Sequence, residues 1–155
     1  MKETNSDTQT TSRRKTREMA LACCYEIEIG KGDAESVVAR TIESQEIKGK
    51  AREFLEDWVN LVVRHTEELD EIIGELARGW TLERIAKIDL IVLRMAMVEL
   101  LLSIEDPSPP DAVSINEAIV LAKKFSTPDS GKFVNGILAT IVNEREKYAE
   151  RLKKK

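Results

Sequence analysis

The chain has 155 residues, long enough for one core of ordinary size. Its 42% hydrophobic and 34% charged residues make the bulk globular and exclude a largely disordered chain. A formal net charge of −4 excludes a protein basic throughout, so any nucleic-acid binding has to come from local asymmetry. The two cysteines, Cys23 and Cys24, are neighbours in sequence. Adjacent residues seldom reach disulfide geometry, and a buried, small apolar role is expected for both. With one histidine, His65, and no spaced cysteine set, no structural zinc site is expected. The N-terminus carries no apolar signal segment, and the chain reads as soluble and cytoplasmic.

Residues 1–12 are polar and aperiodic and read as a disordered tail, with Ser12 as the cap of a helix from about Arg13 to Ile29. At 100° per residue, Arg13, Arg14 and Arg17 lie within about 100° of one another, and their sector continues as Ala20, Leu21 and Cys24. The basic residues thus extend the apolar stripe, an arrangement that leaves guanidinium groups at the edge of the core, able to meet phosphate. Positive charge at a helix N-terminus opposes the helix dipole, which points to a reason other than stability. A solvated helix start is the plainer alternative.

Gly30, Gly32 and Asp33 form a turn, and a short helix over about 34–44 places Val37, Val38, Thr41 and Ile42 on one face. A long helix over about 50–78 has its stripe at Phe54, Leu55, Trp58, Leu61, Val62, Leu69, Ile72, Ile73 and Leu76, with His65 on or near it as a packed residue. Gly79-Trp80 closes this first bundle, 13–80, and a short turn, LERIAK, leads into the second, 81–155. The second is organised around Ile88–Ile104, IDLIVLRMAMVELLLSI, which is apolar on every side and therefore expected to be buried on most sides. At roughly 25 Å it is short of a comfortable membrane span, and Asp89, Arg94 and Glu99 also argue against a bilayer.

EDPSPPD, 105–111, is a stiff, extended connection. Ser114 and Glu117 fit a capping box opening a helix to about Phe125, with Ile115, Ala118, Ile119, Ala122 and Phe125 inward. STPDS is a loop, and Asp129 or Ser130 caps a last helix whose core stripe is Val134, Ile137, Leu138 and Ile141. Phe133 lies off the centre of that stripe beside Lys132, placed either to pack at its margin or to stack on a base. Glu144–Lys155 is charged and expected to fray at its end. No glycine-rich phosphate loop and no nucleophile–base spacing is present, so the class is all-α and no reaction or cofactor is indicated.

Three segments in order resemble the NusB family of bacterial transcription antitermination proteins. They are Arg13 to Tyr25 (RRKTRE…A…Y), Ile91-Val92-Leu93-Arg94-Met95-Ala96…Glu99-Leu100, and Val113 to Gly136 (VSINEAI, LAK, DS, KFVNG). The resemblance implies a bundle of two packed three-helix subdomains with a short connecting helix. It also implies a non-catalytic factor that binds boxA RNA in nascent leaders, ribosomal RNA leaders included, together with NusE, a small-subunit ribosomal protein. Other Nus factors and RNA polymerase are implied as indirect partners. Residue by residue, Arg13, Arg14, Lys15 and Arg17 match the basic RNA-binding run. Asp129, Lys132 and Phe133 match a second RNA-contacting segment, and Arg94 matches a position near it, with an intramolecular ion pair as its alternative. Tyr25 and Asp89 match positions of the partner-protein surface. Thr127-Pro128 departs from the pattern and stiffens the loop before Asp129. Two other readings compete: a helical interaction module, homodimeric or not, with little direct RNA contact, and the non-catalytic N-terminal domain of an RNA cytosine methyltransferase, disfavoured because no methyltransferase region follows.

Overall fold

The structure is a computed structural model that describes residues 2–30 and 32–153, with side chains described from Arg13 onward. Every regular element among these residues is helical: α1 (Lys2–Glu28), α2 (Ala34–Gln45), α3 (Gly49–Arg64), α4 (Thr66–Leu76), a 3₁₀ turn (Leu82–Arg84), α5 (Lys87–Leu102), α6 (Asp111–Phe125), α7 (Ser130–Asn143) and α8 (Arg145–Lys153). None of these helices is long and apolar enough to cross a membrane. The chain divides into two compact units, the first ending at Asn60 and the second beginning at Leu61. The sequence reading placed this boundary at Gly79-Trp80. Gly79, with φ of 79°, does end a helical run, but α4 before it packs on α5 and α8, so it turns the chain inside one packing unit.

In the first unit α1 packs on α2. The backbone of 2–12 is helical and continuous with α1. The Ser12 cap concerns a side chain outside the described ones. Asp33 caps α2 by accepting from the Ser36 N–H at 2.7 Å, and this bond holds its carboxyl below the usual carboxylate range. Val37, Val38 and Ile42 are buried, as their spacing requires. Both cysteines are free and buried. Burial pushes the Cys23 thiol up, against a lowering hydrogen bond with Thr41, which suits a packed residue rather than a nucleophile.

The long helix expected over 50–78 is broken at His65, whose φ of −105° and ψ of 12° leave the α region. A threonine back-bond lies beside the break. Thr66 Oγ1 donates to the Val62 carbonyl at 2.7 Å, a bond of the kind that competes with the helical ladder and bends helices. His65 is buried. The apolar face survives the break, with Leu69, Ile72 and Ile73 fully enclosed.

The second unit is built around α5, in which every residue from Asp89 to Leu101 is buried. The three charges within that stretch are buried too, and their spacing explains how. Residues five apart on a helix point about 140° away from one another. Asp89 accepts from Ser130 of α7 at 2.9 Å, Arg94 donates to Asp70 of α4, and Glu99 accepts from Ser114 of α6 at 3.0 Å. Each charge therefore ties the central rod to a different neighbour.

That bond overturns the expected capping box. The Ser114 hydroxyl serves Glu99, and α6 starts one turn earlier, after Pro110, with Asp111 in its first turn. α6 and α7 approach closely at Gly131, where an added Cβ would lie 2.7 Å from Lys123 Cε and 3.2 Å from Ile119 Cγ2. Residues 145–153 form α8, burying Tyr148 and Leu152, four residues apart, against α4, α5 and α7, and the fraying expected at the end of the chain falls on 154–155, outside the described residues. Arg145 fastens its start, donating to the Leu100 carbonyl at 2.6 Å and pairing with Asp111. The Leu100 carbonyl is among those the helix end leaves without an intrahelical donor.

Candidate nucleic-acid interface

The first candidate segment lies at the start of the described part of α1. The structure splits the basic run in two. Arg14 and Lys15 are exposed. Arg13 is half-buried, its guanidinium 4.2 Å from the centroid of Phe54, and Arg17 is 5% exposed, 5.8 Å from the centroid of Trp58. Arg13 and Arg17 are four apart and share the face that continues into Ala20, Leu21 and Cys24. The two rings pair with each other, centroids 5.0 Å apart, and the two cations cover them. The expectation that Arg17 meets phosphate is corrected by this geometry: its long stem and flat head are used to close the core. Arg14 and Lys15 remain as the outward charges.

The second segment, in the other unit, is the turn from Thr127 into α7. Its organiser is Ser130, 3% exposed. The Ser130 hydroxyl donates to Asp89 Oδ2 at 2.9 Å, accepts from the Thr127 N–H at 3.3 Å and lies 3.0 Å from Thr127 Oγ1. With the turn held this way, Asp129 occupies the N-cap position without a side-chain cap bond, and its exposed carboxylate faces water. Lys132 is exposed and Phe133 half-buried. Both line a cavity of about 450 Å³, along with Asp129, Ser130 and Thr127. Trp80, Arg84, Ile85 and Ala86, from the connection between α4 and α5, line it too, as does Asp89.

Two expected site residues are placed differently. Arg94 is 4% exposed and makes a two-pronged ion pair with Asp70, so it is a structural cation rather than an RNA contact. Asp89, expected on a partner surface, is 7% exposed and bound to Ser130, because α5 is enclosed from Asp89 onward. Tyr25 is 38% exposed, in keeping with an outward role. Sequence reasoning missed Trp80, Arg84 and the organising role of Ser130. An aromatic beside a cation in a short connection with no apolar stripe to serve was the available signal for the first two. No group of three or more His, Cys, Asp or Glu side chains among the described residues is arranged to hold a metal.

Residues 14–143 match the model of the NusB family. The chain belongs to the NusB family. It is 39% identical over 130 residues to the transcription antitermination protein NusB of Acetivibrio thermocellus, covering 84% of this chain and 88% of that one. It is 39% identical over 147 residues to NusB of Geobacter sp., covering 88% and 99%. Among solved structures it resembles NusB of T. maritima with a TM-score of 0.78, 30% identity, and coverage of 89% of this chain and 96% of that chain. It also resembles a chain in the crystal structure of the antitermination factors NusB and NusE in complex with dsRNA, with a TM-score of 0.74, 27% identity, and coverage of 86% and 98%. The matched span holds Arg14, Lys15 and the turn at 127–133; α8 lies beyond it.

Proposed function

We propose that this protein is an RNA-binding transcription antitermination factor that binds boxA-type leader RNA together with NusE and joins other Nus factors on RNA polymerase in the cytoplasm. It binds and assembles and carries out no reaction. The observation that carries this reading is the likeness, over 86% of this chain, to a chain of the NusB–NusE complex with dsRNA. The named NusB relatives support the same role.

In this reading Arg14 and Lys15 supply phosphate contacts, Lys132 a further one, and Phe133 an aromatic face for a base. Asp129 offers a carboxylate to base-edge donors, since no cap bond occupies it. Arg13 sits half-covered on Phe54 and contributes charge near Arg14. Tyr25 serves the partner-protein surface. The test is fluorescence anisotropy with a boxA-containing RNA and a scrambled control, with and without NusE, over a salt series. Selective binding strengthened by NusE supports the reading. Equal binding of both RNAs, with NusE present or not, overturns it and leaves a helical interaction module. Phe133→Ala is expected to lower RNA affinity by about 1–3 kcal/mol.

A further inference from the structure

Phe125 departs from the inward stripe expected for α6. It follows Ala118, Leu121 and Ala122 at helical spacing, and those three are buried, yet Phe125 is 42% exposed. α6 ends at Ser126, with φ of −118° and ψ of −106°, so no further turn of the helix covers the ring. Positive charge gathers around it. Lys123 and Lys124 are both exposed, and Lys124 Nζ lies 5.2 Å from the ring centroid. The stem of Lys123 runs across Gly131, where a Cβ would lie 2.7 Å from Lys123 Cε. The missing side chain at Gly131 thus lets a cation of α6 lie over the first turn of α7, one residue before Lys132.

The same pair of residues stands on both sides of the loop. Lys124-Phe125 ends α6, Lys132-Phe133 lies in the first turn of α7, and only Ser126 to Asp129 separate the two helices. Residues 123–133 hold three lysines, 123, 124 and 132, against Asp129, a local excess of two positive charges in a chain of net charge −4. An aromatic ring beside a cation is the combination a nucleotide uses, the ring for its base and the cation for its phosphate.

We infer that the C-terminal turn of α6 is a further RNA-contacting element, in which Phe125 stacks on a base and Lys123 and Lys124 meet the flanking phosphates. This rests on the RNA-binding reading above and extends it to a helix for which that reading gives no contact. The bound single strand then crosses the loop from one Lys-Phe pair to the other, and its footprint covers the ends of two helices. Continuity with the turn at 127–133 and the local charge excess favour this occupant. An acidic protein segment also suits the lysines, but a repeated ring and cation match a chain of repeating base and phosphate. Stacking reads no base edge, because every base has a π face. The α6 element therefore adds affinity and length of footprint and adds no sequence preference.

The test is anisotropy on the full chain with the boxA-containing RNA and its scrambled control, over a salt series, with and without NusE. Phe125→Leu keeps the apolar volume, so the helix end stays packed, and removes the π face. It is expected to weaken binding of both RNAs by the same factor, about tenfold, with unchanged helix content, and Phe125→Tyr is expected to restore it. Lys123→Gln combined with Lys124→Gln is expected to lower the slope of log affinity against log salt by about 1.4, two single-strand phosphate contacts. Parent-like binding by Phe125→Leu overturns the stacking, and an unchanged slope in the lysine variant overturns the phosphate contacts. In either case a loss of binding in Arg14→Ala with Lys15→Ala leaves the RNA-binding reading standing. Loss of NusE binding by these variants in the absence of RNA assigns the surface to the protein partner and overturns the RNA contact. Failure of the parent to bind either RNA, alone or with NusE, overturns both readings.

Discussion

Arg94 donates from Nε to Asp70 Oδ1 and from Nη2 to Asp70 Oδ2, both at 2.8 Å, and so clamps the central helix α5 to α4. The Arg94 side chain is 5% exposed and that of Asp70 22%. Removing the carboxylate leaves a guanidinium enclosed without its two-pronged partner. Asp70→Ala is expected to lower stability by about 2–4 kcal/mol in urea unfolding. RNA affinity of the protein that remains folded should not change, and a specific loss of affinity at full stability would return Arg94 to the RNA site.

The split of the basic run separates two outcomes that a sequence reading merges. Arg14→Ala combined with Lys15→Ala is expected to weaken RNA binding and to reduce the slope of log affinity against log salt by about 1.4, two single-strand phosphate contacts. Arg17→Ala is expected to act mainly on folding, uncovering Trp58 at a cost of about 1–2 kcal/mol. Thermal unfolding and salt-dependent anisotropy on the same three proteins check both statements.

α8 is a structural element, so its loss is expected to be felt in the core. Tyr148 is 2% exposed and Leu152 1%. Tyr148→Ala is expected to cost about 3–5 kcal/mol, the scale of removing a buried aromatic ring. Denaturant unfolding followed by circular dichroism measures it; a loss under about 1 kcal/mol would mean that α8 adds little to the core.

The ion pair of Glu75 on α4 with Arg151 on α8, at 2.8 and 2.9 Å, gives a pH signature. The Arg151 guanidinium holds the Glu75 carboxyl below its usual value near 4.5. As pH falls, the unfolded chain takes up this proton first. The stabilisation is therefore complete above the ordinary carboxylate range and is lost as pH drops through the lower, folded value. Glu75 is half exposed, so solvent and salt screen the pair, and Glu75→Gln is expected to cost no more than about 0.5 kcal/mol at neutral pH. The gap between parent and variant should close in acid and narrow in high salt, which pH-dependent thermal melts measure.

The central rod could be read from its unbroken apolar run, and the face of Val37, Val38 and Ile42 and the stripe of Val134, Ile137, Leu138 and Ile141 from periodicity, because burying apolar surface dominates folding and leaves its trace in sequence. The break at His65 was not legible, because the apolar stripe runs through it at unbroken helical spacing. The capping box at Ser114 failed for a related reason: the motif was present, but a buried carboxylate fifteen residues away claimed the hydroxyl.

The candidate site shows the same limit. Composition and spacing placed Arg13, Arg14, Lys15 and Arg17 together at one helix start and Asp129, Lys132 and Phe133 in one turn, because local order along the chain determines such runs. Which of those charges face water was decided by partners distant in sequence: Phe54 and Trp58 for two arginines, Asp70 for Arg94, and Ser130 for Asp89. Trp80 and Arg84 joined the cavity by the same route, through the packing that brings the connection before α5 alongside the start of α7. The sequence by itself determined the helical class, the central helix and the family resemblance, all carried by patterns a few residues long. Only the tertiary structure decided which polar groups are spent inside the protein and which are left for a ligand, because a buried charge is stable only beside a partner and that partner is chosen by the fold.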